Sequence, residues 1–356
     1  MRRSRWCNAA GAPLALALLL TACTDHGSPP ARASQPQAGS SSAAVKCTAT
    51  ATSSDDVSRA LAAARAGSTI CVTGTGLGDA ELEITSSGLP DQPVTLAGEG
   101  ATPVRSIRVT ADHVVVQGFA AVDGDGIALE GTDLTVRKNR VEKADLDGIS
   151  CEDLCDGAVI EDNTVVGTDG AGILVMGDGA VVRHNSVSGS VRRKASDADG
   201  IRFFGTDVQI RDNTVFDIKA TGYPAGTEPH TDCFQTFDDS RPPTVDAVIT
   251  GNVCRNVDAQ CLIATADDAG HHGDVGRSHG LEFSGNTCEI QGAQAVLVRF
   301  FPDVAVTANT FDGPALDSVA VFRESSTGGS FEGNTVPGGV RPVEVDASSR
   351  DGFTGQ

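Results

Sequence analysis

Apolar and polar positions alternate along this chain in very short runs. Eight of those runs are β-branched or apolar segments that close on an asparagine, in the sequences VRKNRV, IEDNTV, VRHNSV, IRDNTV, ITGNVC, FSGNTC, VTANTF and FEGNTV. The asparagines are Asn139, Asn163, Asn185, Asn213, Asn252, Asn286, Asn309 and Asn334, separated by 24, 22, 28, 39, 34, 23 and 25 residues. A period of that length predicts a solenoid, because one short strand cannot bury both faces alone and successive units must stack. An asparagine at the same corner of every coil can hydrogen-bond to its counterparts above and below.

A second strand in each coil is marked by a small residue followed by an apolar one: Gly126-Ile127, Gly148-Ile149, Gly172-Ile173, Gly200-Ile201, Cys233-Phe234, Cys261-Leu262 and Ala295-Val296. Set in register with the asparagines, Cys233 and Cys261 fall at equivalent places of adjacent coils, and so do Cys254 and Cys288. Neighbouring parallel strands lie about 4.8 Å apart, within the Cα separation a disulfide tolerates. The expected bridges are therefore Cys233–Cys261 and Cys254–Cys288, with Cys151–Cys155 closing a small loop. Upstream, Ser54 before Asp55-Asp56-Val57, apolar Val57, Leu61 and Ala64 at helical spacing, and Gly67 as a stop predict a short helix. Cys47 and Cys71 flank it, and a Cys47–Cys71 bridge would pin it.

The helix followed by AGSTICV (66–72) resembles the opening of right-handed parallel β-helix proteins of the pectate-lyase-like superfamily. The resemblance covers about residues 47–336. It implies an all-β, right-handed parallel β-helix whose first coil is covered by the capping helix, and a carbohydrate-active protein. Composition agrees: 41 Gly, one Trp, one Tyr and 13 Phe leave Val, Ile, Leu and Ala to build the core.

The amino terminus sets the compartment. Arg2, Arg3 and Arg5 precede an apolar run, Ala12 to Leu20, that is too short to span a membrane and reads as an export signal. Leu20-Thr21-Ala22-Cys23 resembles the bacterial lipobox, which implies cleavage before Cys23, a lipid on that cysteine, and anchoring to the outer face of a membrane. The expected organisation is a lipoprotein signal peptide (1–22), a flexible Ser/Pro/Ala tether (23–45), the β-helix (46–340) and a C-terminal tail (341–356). Formal net charge is −20, and loss of the signal's three arginines takes it to −23. Such a body repels nucleic acid, so none is expected as a partner, and an anionic polymer would need a local basic patch. With Cys7 and Cys23 set aside, eight cysteines remain for disulfides, as an exported chain allows. A monomer is expected.

Candidate chemistry gathers where the period lengthens. The residue before each small–apolar pair is Asp125, Asp147, Ala171, Asp199, Asp232, Gln260 and Gln294 in successive coils. The plain role for these carboxylates is to cap backbone amides at an Asp-Gly turn. Asp199 and Asp232, beside the long steps, are also candidates for catalysis, and as hard oxygen ligands they would suit Ca²⁺. The first long step inserts Arg192-Arg193-Lys194. The second holds Lys219, Tyr223, His230, Asp232 and Gln235, and the third holds His271, His272 and His279. Loops from adjacent coils should line one groove, floored by Arg202 and Gln235.

His230-Thr231-Asp232-Cys233-Phe234-Gln235 resembles a His-x-Asp-Gly-x-Gln pattern of some carbohydrate-active β-helix proteins, with Cys in place of Gly. The leading expectation is a lyase or C5-epimerase acting on a uronic-acid glycan. There Arg202, Arg193 or Lys194 would neutralise the sugar carboxylate, His230 or Lys219 would take the proton, Tyr223 would return one, and Gln235 would hold substrate. The alternatives are a glycoside hydrolase using Asp199 and Asp232, and a non-catalytic glycan-binding module. ADGIRF and HTDCFQ are similar to strands of polygalacturonases, yet the chain lacks that family's Asp-Asp pair and Arg-x-Lys.

Overall fold

The computed structural model describes residues 46–153, 155–195 and 197–355. The expected signal peptide (1–22) and tether (23–45), with Cys23, lie outside the described residues. The described residues form one compact unit, a single parallel sheet wound into coils. Each typical coil contributes three strands, and each strand pairs with its equivalents one coil away.

The residue three positions before each asparagine points inward. Val136, Ile160, Val182, Ile210, Ile249, Phe283, Val306 and Phe331 stack in register as a buried column. The small–apolar strands stack in the same way, with Ile127, Ile149, Ile173, Ile201, Phe234, Leu262 and Val296 aligned one above another. Side-chain alternation with period two produces this: one slip in register would turn each apolar residue to solvent.

The asparagines run as an unbroken ladder on the inside of one corner. The Nδ2 of Asn139, Asn163, Asn185, Asn213, Asn252, Asn286 and Asn309 each donates to the Oδ1 of the next, at 3.0–3.2 Å. The same Oδ1 accepts the preceding asparagine's backbone N–H, as Asn213 does from Asn185 at 2.9 Å. The chain must turn sharply just before this corner. Lys138, Asp162, His184, Asp212 and Ala308 do so with φ of 54–56°, where Gly251, Gly285 and Gly333 serve in the other coils. The left-handed conformation is unusual for non-glycine residues, and here the ladder on one side and strand pairing on the other enforce it.

The helix Ser54–Ala62 covers the first coil with Val57 and Leu61 buried. Its N-cap is Ser53 rather than Ser54: the Ser53 hydroxyl accepts the Asp56 N–H at 3.2 Å. At the other end, residues 341–355 are not a tail outside the solenoid. Arg341–Val345 pairs in parallel with the strand Ser318–Arg323, and Thr354–Gly355 with Ser330–Glu332, so winding continues. Pro342 did not prevent this, because an edge strand tolerates a missing N–H.

Cys47 is bridged to Cys71, and Cys151 to Cys155. The other four cysteines do not pair between coils. In place of Cys233–Cys261 and Cys254–Cys288, the bridges are Cys233–Cys254 and Cys261–Cys288, with Cα separations of 6.1 and 5.9 Å. The register behind the expectation is present, since Phe234 aligns with Leu262 and Cys254 with Cys288. Side-chain direction overrules it. In-register neighbours project their Cβ atoms in parallel about 4.8 Å apart, whereas a disulfide wants Cβ atoms about 3.8 Å apart and converging. Two inward-facing cysteines on different walls of the same coil meet that requirement across the core.

Candidate active site

Beside each inward residue of the small–apolar column stands an outward one. Arg108, Ala128, Ser150, Leu174, Arg202, Gln235 and Ile263 therefore form one ladder on the outer face. Over its later part the inserted loops do not stand apart as walls of an open groove. Leu174, Met176 and Phe204 are buried on this outer side and Phe237 packs against them. Phe237 meets Phe204 edge-on, and the Arg241 guanidinium lies 5.3 Å from the Phe204 ring centre and 5.1 Å from that of Phe237.

In register with Leu174 stands Arg202, in a buried ionic network. Arg202 Nε and Nη2 reach Asp199 Oδ2 at 2.7 and 2.6 Å, and Nε also donates to Gln235 Oε1 at 3.0 Å. Asp197 approaches Arg202 at 3.9 Å. Asp199 Oδ1 accepts the Asp232 N–H at 3.0 Å, and Asp232 Oδ1 accepts the Gln260 N–H at 2.8 Å. The capping role thus extends to both aspartates. Asp147 repeats it one coil earlier, accepting the Ala171 N–H at 2.5 Å. Asp232 Oδ2 is buried and has no hydrogen-bond partner among the described residues.

Burial, aided by the nearby Asp199 charge, holds the Asp232 carboxyl well above the usual range. Burial also raises Asp199, although Arg202 opposes it, and lifts Asp147 to about 6 against the pull of Arg202. One guanidinium cannot stabilise several dry carboxylates in ionised form at once. Of the two, Asp199 has the Arg202 guanidinium directly against it to favour its charge, and Asp232 is the one pushed further towards the protonated form. Among the described residues no group of three or more His, Cys, Asp or Glu is placed to hold a metal ion. Of the four carboxylate oxygens of Asp199 and Asp232, the candidates for Ca²⁺, Arg202 and two backbone amides engage three, and Asp232 Oδ2 is left over.

The remaining candidates do not converge. Lys219 Nζ is held by Asn256 at 2.6 Å and Asp258 at 3.0 Å. The Tyr223 hydroxyl accepts the Arg192 N–H at 2.7 Å. Arg193 donates to the Ala144 carbonyl at 2.8 Å, and Lys194 stands 3.8 Å from Asp145. The buried carboxylate of Asp169 accepts the N–H groups of Arg193, Lys194 and Ala195, at 2.6, 2.6 and 3.3 Å, and so fixes the basic loop. The cluster's backbone and its Arg193 side chain are therefore held by the fold. His230 alone among the proposed bases is exposed; its carbonyl accepts the Ala198 N–H at 2.9 Å.

An open cleft of about 140 Å³ does exist on this face, in the earlier coils, where the outer ladder drops to Ala128 and Ser150. Arg108, Asp125, Glu130, Glu152 and Asp153 surround it. Glu152 and Asp153 sit on the loop closed by Cys151–Cys155. Of these residues only Asp125 was marked by the sequence pattern. Cys-Glu-Asp-Leu-Cys was the available signal, since a short disulfide loop fixes the carboxylates it encloses.

Residues 110–191 match the family described as the right handed beta helix region. That decides the architecture. The fold is a right-handed parallel β-helix. The β-helix is similar to a crystal structure of a pectate lyase, with a TM-score of 0.57 at 13% identity over 84% of this chain and 82% of that one. It is also similar to the tailspike protein of E. coli bacteriophage HK620, solved with a pentasaccharide, with a TM-score of 0.54 at 12% identity over 85% of this chain and 62% of that one. Likeness at these identities is one of fold. No curated protein matches the sequence.

Proposed function

We propose that this β-helix protein acts on a polysaccharide laid along the outer face of the small–apolar column, with carboxylate chemistry in the open cleft. The observation that carries the reading is the cleft itself. It is open where the later coils are covered, and Leu146 and Ser150, which flank Asp147 in the chain, both line it. Asp147 follows the lining residue Leu146 but is buried and not itself on the lining; burial raises its carboxyl to about 6, so it keeps its proton in weak acid, while Glu152 offers a carboxylate on the cleft wall. A proton donor and a carboxylate are the pair that glycoside hydrolysis requires. Four carboxylates against Arg108 also favour a neutral sugar over a uronate.

Proton abstraction from a uronate is the second reading. It is supported by the exposure of His230, whose carbonyl accepts the Ala198 N–H, and weakened by the partners already holding Arg193, Lys194, Lys219 and Tyr223.

The test is incubation of a Cys23→Ser protein with neutral glycans and uronates, following new reducing ends and the ultraviolet absorbance of unsaturated uronates together. Reducing ends without that absorbance are expected. Asp147→Asn or Glu152→Gln should lower the rate by at least about 100-fold, and activity should decline as pH rises through about 6, where Asp147 loses its proton. Unsaturated products would move the assignment to His230, and glycan binding without turnover would leave a binding module.

Export with a lipid on Cys23 belongs to the same proposal, supported by the four disulfides of the mature domain. Labelled fatty acid should enter the full chain and be absent from Cys23→Ser; equal labelling of both would remove Cys23 as the attachment point.

A further inference from the structure

Aromatic side chains are scarce here, and nearly all are accounted for by packing. Nine of the 13 phenylalanines are buried in the described fold. Of the other four, Phe237 packs on Phe204, Phe216 lies beneath the Arg255 guanidinium, and Phe353 meets Phe322 edge-on. Phe300 is different. Its ring neighbour is the exposed His271, with ring centres 5.0 Å apart and planes at 67°.

Phe300 also sits at φ 51°. A bulky side chain is strained there, and such strain persists only where the surroundings enforce it. The Phe300 N–H donates to the carbonyls of Arg323 and Glu324 at 3.3 and 3.1 Å. Arg299, one residue earlier, is held by Glu324 at 2.9 and 2.8 Å and by Asp267 at 3.4 Å. The ring lies so close over Gly270 that a Cβ added there would fall 2.2 Å from Phe300 Cγ. The fold thus spends a strained corner and a glycine to hold a half-exposed ring beside a second one, rimmed by Arg299, Asp267 and Glu324.

We infer that Phe300 and His271 form a stacking platform for a pyranose ring, a subsite of the glycan-handling face separate from the cleft. The inference rests on the reading that this face handles a polysaccharide. An apolar ring face suits the C–H face of a sugar, and the charged rim suits its hydroxyls. Five coil steps in register separate Ser150 in the cleft from Leu297, two residues before Arg299. That is about 24 Å along the face at the usual strand spacing, so the platform contributes to chain binding and not to bond cleavage.

The test is electrophoresis of the full chain, Phe300→Gly, Phe300→Tyr and His271→Ala through native gels containing soluble xylan, glucomannan or dextran. Because glycine adopts this φ without strain, Phe300→Gly should melt no lower than wild type. It should require at least about ten times more polysaccharide for equal retardation, with a smaller loss for His271→Ala and retention in Phe300→Tyr. Wild-type retardation of both Phe300→Gly and His271→Ala would overturn the platform and leave the reading of the face standing. A lowered melting temperature in Phe300→Gly, with retardation unchanged, would show that the ring only packs. If no gel retards the wild type, the reading of the face falls and the platform with it.

Discussion

Asn213→Ala should lower the unfolding free energy by about 3–5 kcal/mol, while Asn334→Ala should cost about 1–2 kcal/mol. The two side chains belong to one ladder and differ in what they leave behind. Asn213 Oδ1 accepts both the backbone N–H and the side-chain amide of Asn185, and its Nδ2 donates to Val182, Arg211 and Asn252. Its removal orphans several groups inside a coil corner that water does not reach. Asn334 accepts from Asn309 and donates to Val306, but no ladder asparagine follows it and it is part-exposed. Denaturant midpoints of the two variants against wild type provide the comparison. Equal losses would mean that the ladder only decorates a corner held by strand pairing.

Arg202→Met should cost about 3–5 kcal/mol near neutral pH, because it strips the counter-charge from a carboxylate with no access to water. The loss should shrink as pH falls and Asp199 takes a proton, and Asp199→Asn on top of Arg202→Met should restore most of it. Asp232→Asn should act in the opposite direction. A carboxyl whose folded pKa is raised binds its proton more tightly in the native state. Its contribution is therefore full below the unfolded carboxylate value near 4 and is lost as pH rises towards the folded one, at up to about 1.4 kcal/mol per unit. Asp147 adds the same sign between 3.8 and about 6. Removing the ionisable group at 232 should leave the protein more stable than wild type near neutral pH and flatten the decline. Denaturation at several pH values reads all three variants. A pH-independent loss in Arg202→Met, or additivity of the double variant, would dissolve the network into separate contacts.

The repeat was legible because its signals are periodic in the chain. Asparagine spacing and the small–apolar pairs give strand register directly, and even the four later cysteines fell in the right rows. Register leaves open where a side chain points across the coil, so the partners of Cys233 and Cys261 lay on another wall of the same ring. The loops were harder for a related reason. Arg193, Lys194, Tyr223 and Lys219 read as free chemistry because what holds them is largely invisible in sequence: the carbonyl of Ala144, the amide of Arg192, and the Asn256–Asp258 pair nearly forty residues away. The cleft escaped notice for the converse reason, being made by small residues, Ala128 and Ser150, that carry no chemical signature.

The bridges within coils matter most after damage. Cys233–Cys254 and Cys261–Cys288 each close a covalent ring within one coil, the first enclosing the loop through Asp239 and Arg241 and the second the loop of His271 and His272. Loops of this kind are where proteases cut exported proteins. A nick in either loop opens a ring without parting the chain, so the pieces on both sides stay joined and their strands stay paired. Residues 255–260, between the two rings, are spanned by neither bridge, and a nick there would part the chain.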